Sequence, residues 1–120
     1  MPKSYSYQDL LYWQRSMDLV IAIYELTNEF PKSEIYGLAS QMKRASISIP
    51  SNIAGGRRRG SRKEYHKFLI IAYASGAELE TQIEIAKRLP LGQGLNFNQV
   101  DNLLNEVMRM LNKTLATLRT

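Results

Sequence analysis

The chain has 120 residues, 44% of them hydrophobic and 22% charged, with a formal net charge of +5, which predicts one globular domain over residues 1–120 with a single core. The chain has no cysteine, which excludes disulfide scaffolds, zinc ribbons and thiol nucleophiles. No stretch approaches the roughly 18 uninterrupted apolar residues of a membrane span, so we expect a cytoplasmic protein with no membrane partner.

Apolar residues recur every three or four positions between Tyr7 and Phe30 and predict the first helix. Its predicted apolar face comprises Leu10, Trp13, Met17, Val20, Tyr24 and Thr27. Because a proline disfavours helical geometry at the residue before it, Pro31 predicts that this helix ends near Glu29 or Phe30.

Ser33 is a suitable N-cap for a second helix. The apolar face of that helix is predicted to contain Ile35, Leu38, Ala39, Met42, Ala45 and Ile49. Pro50 allows two interpretations: the helix stops at Ile49, or it kinks and continues to Gly55–Gly56. We favour the kink, because Ile49 and Ile53 are one turn apart and the two glycines form a stronger C-terminal stop.

Ser61 and Glu64 have the spacing of a capping box and predict the start of a third helix. Its inner face is predicted to be Tyr65, Phe68, Ala72, Ser75, Leu79, Ile83 and Ala86. Further apolar residues surround the middle of this helix, namely Ile70, Ile71, Tyr73, Ala74 and Ala77. A helix that is apolar on nearly all sides is normally buried on more than one of them, so we expect a second subunit to cover it.

The segment 89–94 is rich in proline and glycine and predicts a break before the fourth helix, which Asn96 or Asn98 caps. The face of this helix is predicted to be Val100, Leu104, Val107, Leu111, Thr114, Leu115 and Leu118. Four helices of similar length with mostly short connections predict an all-α fold, an antiparallel up-down-up-down four-helix bundle with helix two kinked near Pro50.

The positive charge is concentrated between residues 43 and 67, where only Glu64 is acidic. The eight basic residues of this segment are Lys43, Arg44, Arg57, Arg58, Arg59, Arg62, Lys63 and Lys67. We interpret them as a site for the RNA or DNA backbone, with Arg57–Arg59 in a glycine-flanked loop. A surface that docks an acidic protein, such as a polymerase, and a loop that only increases solubility are the alternatives.

Two sequence elements carry a family resemblance. The stretch 44–56, which contains Ser-Ile-Pro-Ser-Asn-Ile-Ala, and the later Glu-Leu-Glu-Thr at 78–81 resemble the bacterial four helix bundle protein family, encoded within intervening sequences of ribosomal RNA genes. The resemblance implies a homo-oligomeric ring, expected to be a pentamer, that binds nucleic acid and has no known catalytic activity. A related branch includes the accessory protein of diversity-generating retroelements, which partners a reverse transcriptase. Family members usually have glutamate where this chain has Gly55.

The sequence predicts no catalytic residue, metal site or cofactor. Di-iron helical bundles use Glu-x-x-His motifs, and the single histidine, His66, does not follow a glutamate at that spacing. Arg59 and His66 resemble the short Arg-His motif of the HEPN ribonucleases, in which the histidine acts as acid or base. A ribonuclease is therefore a minor alternative, and we expect the protein not to be an enzyme.

Overall fold

The computed structural model describes residues 6–119, and within that range it contains helices and no strands. The four α-helices are α1 (Leu11–Thr27), α2 (Leu38–Arg59), α3 (Arg62–Arg88) and α4 (Asn98–Arg119). Three short 3-10 helices, Tyr7–Asp9, Lys32–Glu34 and Pro90–Gly92, lie in the connections. The predicted all-α, four-helix fold is confirmed.

Contacts between helix ends determine which termini lie together. Hydroxyl groups near the starts of α1 and α3 are in contact, through Tyr12 and Tyr65. The guanidinium of Arg62 at the start of α3 donates to carbonyl oxygens in the last turn of α4. At the opposite end of the molecule, Lys87 late in α3 forms an ion pair with Asp101 in the first turn of α4. The resulting bundle measures 52 × 24 × 23 Å.

The core is one cluster of buried aliphatic and aromatic residues from all four helices. Its largest fully buried side chains include Leu19 and Ile23 of α1, Met42, Ile49 and Ile53 of α2, Leu69 and Leu79 of α3, and Val107 and Leu111 of α4. None of the helices between residues 6 and 119 is both long and apolar enough to cross a lipid bilayer.

The predicted core face of the first helix was only partly correct, since Leu10 and Trp13 are half-buried against the core but other members of the face are not. Of the predicted face, only Thr27 is buried, whereas Met17 and Tyr24 are exposed. The residues of α1 that are buried are Ser16, Leu19, Ala22, Ile23, Leu26 and Thr27. Ser16 tolerates burial because its hydroxyl donates to the Trp13 carbonyl 2.7 Å away, which satisfies the polar group within the helix. The helix also ends earlier than predicted, at Thr27, because the amides of Glu29 and Phe30 bond three residues back and tighten the chain into a turn.

The start predicted for the second helix was also wrong. Ser33 lies in a 3-10 helix, and α2 begins at Leu38, where the Glu34 carboxylate accepts the Leu38 amide at 3.2 Å. The helix then continues through the buried Pro50, and the predicted kink at this residue stays a prediction. The predicted stop at Gly55–Gly56 was wrong, since α2 runs on to Arg59 and ends at Gly60 in the left-handed conformation, with φ 83°.

Two other caps were predicted from the sequence. The Ser61 hydroxyl accepts the Glu64 amide at 3.0 Å and caps α3, while the Glu64 carboxylate lies near Arg59. The Asn96 side chain accepts the Asn98 amide at 2.9 Å at the start of α4. Both predicted starts are confirmed because each depends on a short local contact.

Gly56 permits the close approach of α2 and α3. A β-carbon at this position would lie 2.6 Å from the Phe68 β-carbon. The glycine that was predicted to stop the helix therefore serves helix packing, and brings the last turn of α2 against the first turns of α3.

Candidate nucleic-acid interface

Six of the eight predicted basic residues lie where α2 ends and α3 begins. Arg57, Arg58 and Arg59 form the last turn of α2, and Arg62, Lys63 and Lys67 occupy the first turns of α3. The three consecutive arginines are helical and do not form the predicted loop. Cations in the last turn of a helix interact favourably with its partial negative charge. We call these six residues, together with Lys113 and Arg119 of α4, the basic end.

Each of the three consecutive arginines lies over an aromatic ring. The guanidinium carbon lies 6.0 Å from the ring centroid of Tyr65 for Arg57, 5.6 Å from that of Tyr7 for Arg58, and 5.2 Å from that of Phe68 for Arg59. Attraction between a cation and a ring face restricts the long side chains. The fold therefore holds each of the three arginines against an aromatic ring.

Tyr7 connects this arrangement to the start of the chain. Its ring makes an edge contact with the Trp13 indole, at 5.3 Å between centroids and 65° between planes. The pairing of this aromatic residue before α1 with Arg58 leaves no local signal in the sequence, because the two residues are far apart along the chain. Tyr5, a second tyrosine near this end that could stack on unpaired bases, lies outside the described residues.

Arg62 occupies a different environment from the other arginines. Its Nη2 donates to the Thr117 carbonyl at 2.9 Å and its Nε donates to the Leu118 carbonyl at 3.4 Å. These carbonyls belong to the last turn of α4, where no intrahelical amide is available to them. The guanidinium thus caps α4 and joins it to α3.

Lys43 and Arg44 are separated from the other six predicted residues. Arg57 follows Arg44 by thirteen positions of α2, which correspond to about 20 Å along the helix. The Lys43 ammonium lies 4.8 Å from the Tyr24 ring centroid on the α1 side, and Arg44 lines a polar groove with Glu78 and Gln82 between α2 and α3. The structure does not bring these two residues to the basic end.

The basic end contains two residues that sequence reasoning missed, Lys113 and Arg119, both exposed in the second half of α4. The contacts of Arg62 place this part of α4 beside the start of α3. Residues 109–119 contain no carboxylate. Counting charge over each helix end, once a bundle was predicted, would have identified them.

A polar cluster lies beneath the basic end. Tyr12 of α1 and Tyr65 of α3 share a hydrogen bond between their hydroxyls, and Thr114 of α4 is a further partner of Tyr12. Burial raises the pKa of both phenols, and for Tyr65 the hydrogen bond with Tyr12 raises it further. The positive charge of Arg57 acts in the opposite direction on both. The cluster thus joins side chains from all four helices directly below the arginines.

The two residues of the ribonuclease alternative have other neighbours. The Arg59 guanidinium covers Phe68 and its Nε lies 4.0 Å from a Glu64 carboxylate oxygen. The Nε2 atom of His66 is buried and makes no hydrogen bond to the described residues. Within residues 6–119, no three side chains of the metal-ligating types are grouped as a metal site requires.

The family model for the 23S rRNA-intervening sequence protein matches residues 8–113. The chain belongs to this family. A crystal structure of a protein with unknown function from the S23 ribosomal protein family of Bacteroides thetaiotaomicron VPI-5482 superimposes with a TM-score of 0.71 at 20% sequence identity. The match covers 88% of this chain and 98% of that one, and at this identity it shows the shared fold alone. No curated protein matches the chain.

The first of the two sequence elements that resemble the 23S rRNA-intervening sequence protein family, residues 44–56, connects α2 with α3. The Ser48 hydroxyl is 2.7 Å from the Ser75 hydroxyl, a hydrogen bond between the two helices. The Asn52 amide donates to the Ser48 carbonyl at 2.8 Å and to its hydroxyl at 3.0 Å. The Pro50 ring leaves the Ser46 carbonyl without its usual amide donor, and the Asn52 side chain donates to Ser48 instead. These contacts give the element at 44–56 a structural role in helix packing.

Gly55 stands where the family resemblance implies a glutamate. A β-carbon here would lie 3.2 Å from the Phe68 ring, the ring that supports Arg59. A side chain at position 55 would therefore displace that ring by a few tenths of an ångström. Glycine at this position leaves Phe68 undisturbed beneath the arginine.

Proposed function

We propose that this member of the 23S rRNA-intervening sequence protein family is a non-enzymatic, oligomeric protein that binds the RNA or DNA backbone through its basic end. The observation that carries the proposal is the grouping of cations from α2, α3 and α4 at one end of the bundle, with three arginines supported by aromatic rings. Supported guanidiniums lose little additional freedom when they contact phosphate. The names of the chain's family and of its structural neighbour's family refer to ribosomal RNA and to a ribosomal protein, in keeping with an RNA partner.

The distribution of acidic residues supports the same proposal. Five carboxylates lie between residues 76 and 108, against only two cations, Lys87 and Arg88. The acidic residues in question are Glu78, Glu80, Glu84, Asp101 and Glu106. A polyanion is therefore attracted to one end of the molecule and repelled from much of the rest.

Binding of nucleic acid is tested by fluorescence anisotropy or mobility shift over a salt series. The Arg58→Ala/Arg59→Ala variant removes two exposed cations of the basic end, and Arg44→Ala/Arg88→Ala removes two exposed cations away from it. If five phosphates are neutralised, affinity for a single strand falls about 100-fold between 50 and 200 mM salt, and about 20-fold if only three are. Equal loss in both variants, or no binding at low salt, contradicts the proposal. If the chain captures an acidic protein in a pull-down and the capture persists after nuclease treatment, the acidic-partner alternative is favoured.

We propose self-association because apolar side chains remain exposed on two separate surfaces. One surface is on α3, where Ile70 and Ile71 are 47% and 48% exposed and Ala74 and Ala77 continue the face. The other is an apolar groove of about 360 Å³ between α1 and α2, lined by Tyr7, Trp13, Met17, Val20, Ile47, Pro50, Ser51 and Ala54. Exposed apolar patches of this kind are typical of interaction sites.

Two different surfaces on one chain favour head-to-tail contacts, which close into rings when the rotation between subunits permits. A homopentamer is the number that the family resemblance implies. Light scattering of wild type, Ile71→Lys and the control Gln99→Lys tests this, since both variants add one positive charge at an exposed position. We expect Ile71→Lys alone to reduce the mass. A monomeric wild type at micromolar concentration contradicts self-association.

The proposal contains no catalytic step. A general acid or base must approach the proton that it transfers within hydrogen-bond distance, and the Nε2 atom of His66 is shielded from solvent. Incubation of RNA with wild type and His66→Ala distinguishes the alternatives. RNA cleavage by wild type that the variant lacks would favour the ribonuclease.

A further inference from the structure

We propose that the basic end prefers single-stranded nucleic acid, because unpaired bases stack on the guanidinium planes of Arg58 and Arg59. This inference rests on the proposed function and specifies its ligand. It follows from the aromatic support of the arginines and from their placement around the end of α2.

An aromatic ring lies beneath each of the two guanidiniums. The ring of Tyr7 lies below Arg58 at 5.6 Å, and the ring of Phe68 lies below Arg59 at 5.2 Å. Both arginines are nonetheless exposed, with 59% of the Arg59 side chain accessible to solvent. A guanidinium that is held over a ring and exposed to solvent remains accessible to a ligand, and nucleic-acid bases stack on guanidinium planes.

A duplex leaves few base faces on which these guanidinium planes can stack. Bases within a duplex are covered on both faces by their neighbours, so a guanidinium reaches only their edges and the phosphates. Unpaired bases expose their faces, and stacking on them is tolerant of sequence. The supported arginines therefore gain an additional interaction only with an unpaired strand.

The positions of Arg58 and Arg59 around the end of α2 also favour a flexible strand. Successive helical residues are separated by about 100°, so Arg58 and Arg59 project on different sides of the α2 axis, towards Tyr7 before α1 and towards Phe68 on α3. A single strand bends between the two arginines, whereas a rigid duplex does not.

The test compares three fluorescent probes of equal length at 50 mM salt: an unstructured single strand, the corresponding blunt duplex, and an abasic strand with the same number of phosphates. Electrostatic attraction alone favours the duplex, which has more charge, so it opposes the expected result. We expect the single strand to bind at least about fivefold more tightly than the abasic strand, the minimum for one stacked base, and more tightly than the duplex.

A charge-preserving variant separates stacking from electrostatics. Arg58→Lys/Arg59→Lys keeps both positive charges but removes the planes, so its affinity for the abasic strand remains near wild type while the single-strand advantage is lost. The matched control, Arg44→Lys/Arg88→Lys, changes two exposed arginines away from the basic end and retains that advantage.

Each other outcome is decisive. If no probe binds, the proposed function fails and this inference fails with it. If the duplex binds as tightly as the single strand, or the abasic strand does, the proposed function stands and the preference for stacked, unpaired bases is overturned. Retention of the single-strand advantage in Arg58→Lys/Arg59→Lys also overturns the assignment to these two residues.

Discussion

Replacing Arg62 with alanine is expected to weaken the fold more than it weakens nucleic-acid binding. In the structure its guanidinium donates to the Thr117 and Leu118 carbonyls at 2.9 and 3.4 Å. An exposed hydrogen bond from a cation to a helix C-terminus, together with its interaction with the helix dipole, contributes about 1 kcal/mol to the free energy of unfolding. Arg58, which covers Tyr7, has no comparable role in joining α3 to α4.

The expected change in melting temperature follows from the size of the chain. Unfolding entropy is about 2.1 cal/mol/K per residue, which gives about 250 cal/mol/K for 120 residues. A loss of about 1 kcal/mol therefore lowers the Tm by about 4 °C. Circular dichroism at 222 nm measures this shift at a fixed protein concentration, because self-association makes the Tm depend on concentration.

Arg62→Lys and Arg58→Ala are the controls. The lysine keeps the positive charge near the end of α4 but loses the forked geometry, so its Tm is expected to fall between those of wild type and Arg62→Ala. Arg58→Ala is expected to melt close to wild type and to bind nucleic acid more weakly. The reasoning is refuted if Arg62→Ala melts within about 1 °C of wild type and loses as much affinity as Arg58→Ala.

Three further predictions concern the same end of the bundle. Glu64→Gln removes a carboxylate 4.0 Å from the last arginine of α2 and is expected to raise nucleic-acid affinity about twofold at low salt, by anisotropy, since exposed ion pairs are weak. Gly56→Ala places a β-carbon 2.6 Å from that of Phe68 and is expected to cost about 1–3 kcal/mol in urea unfolding. Because the pKa values of Tyr12 and Tyr65 are raised in the folded chain, wild-type stability falls as pH rises above the ordinary tyrosine pKa, and less steeply in the variant with phenylalanine at both positions.

Each of these predictions has a result that contradicts it. Unchanged or lower affinity of Glu64→Gln would mean that this carboxylate does not compete with phosphate. An unfolding free energy of Gly56→Ala equal to that of wild type would mean that α2 and α3 adjust without strain. For the tyrosines, stability falls as pH rises because, above the ordinary tyrosine pKa, the unfolded chain releases protons that the folded chain retains. Identical pH dependence of wild type and the double phenylalanine variant would contradict it.

Local sequence signals predicted the parts of the fold that depend on neighbouring residues. Ser61 and Asn96 cap the helices that they were expected to cap, because each contact spans three residues or fewer. Gly55–Gly56 misled the prediction, because the tight packing of α2 against α3 uses glycine inside a helix. Ser33 misled it as well, since the chain forms a 3-10 helix there and Glu34 accepts the first amide of α2.

The face of α1 was unpredictable for a different reason. The helix has two apolar stripes, one with Leu19 and Ile23 in the core and one with Met17 and Tyr24 exposed. Periodicity identifies both stripes, and only the positions of the other helices decide which is buried. The exposed stripe contributes to the apolar groove between α1 and α2, so the same ambiguity in sequence reflects a second surface on the molecule.

The candidate site was predicted in composition and only partly in arrangement. The sequence identified the six cations near the junction of α2 and α3, but the separation of Lys43 and Arg44 from them depends on helix length. The capping role of Arg62 and the addition of Lys113 depend on how α4 packs against α3. Tertiary contacts of this kind leave no periodic signal in the sequence.

The uneven distribution of charge along a 52 Å bundle has a kinetic consequence. With cations at one end and most carboxylates of α3 and α4 away from it, the molecule is an electric dipole that a polyanion's field rotates during approach. Orientation before contact raises the fraction of collisions that begin in the correct geometry, and salt suppresses it once the Debye length falls below the separation. The charge asymmetry therefore acts on the association rate constant, and a rate that falls steeply with ionic strength is its signature in stopped-flow measurements.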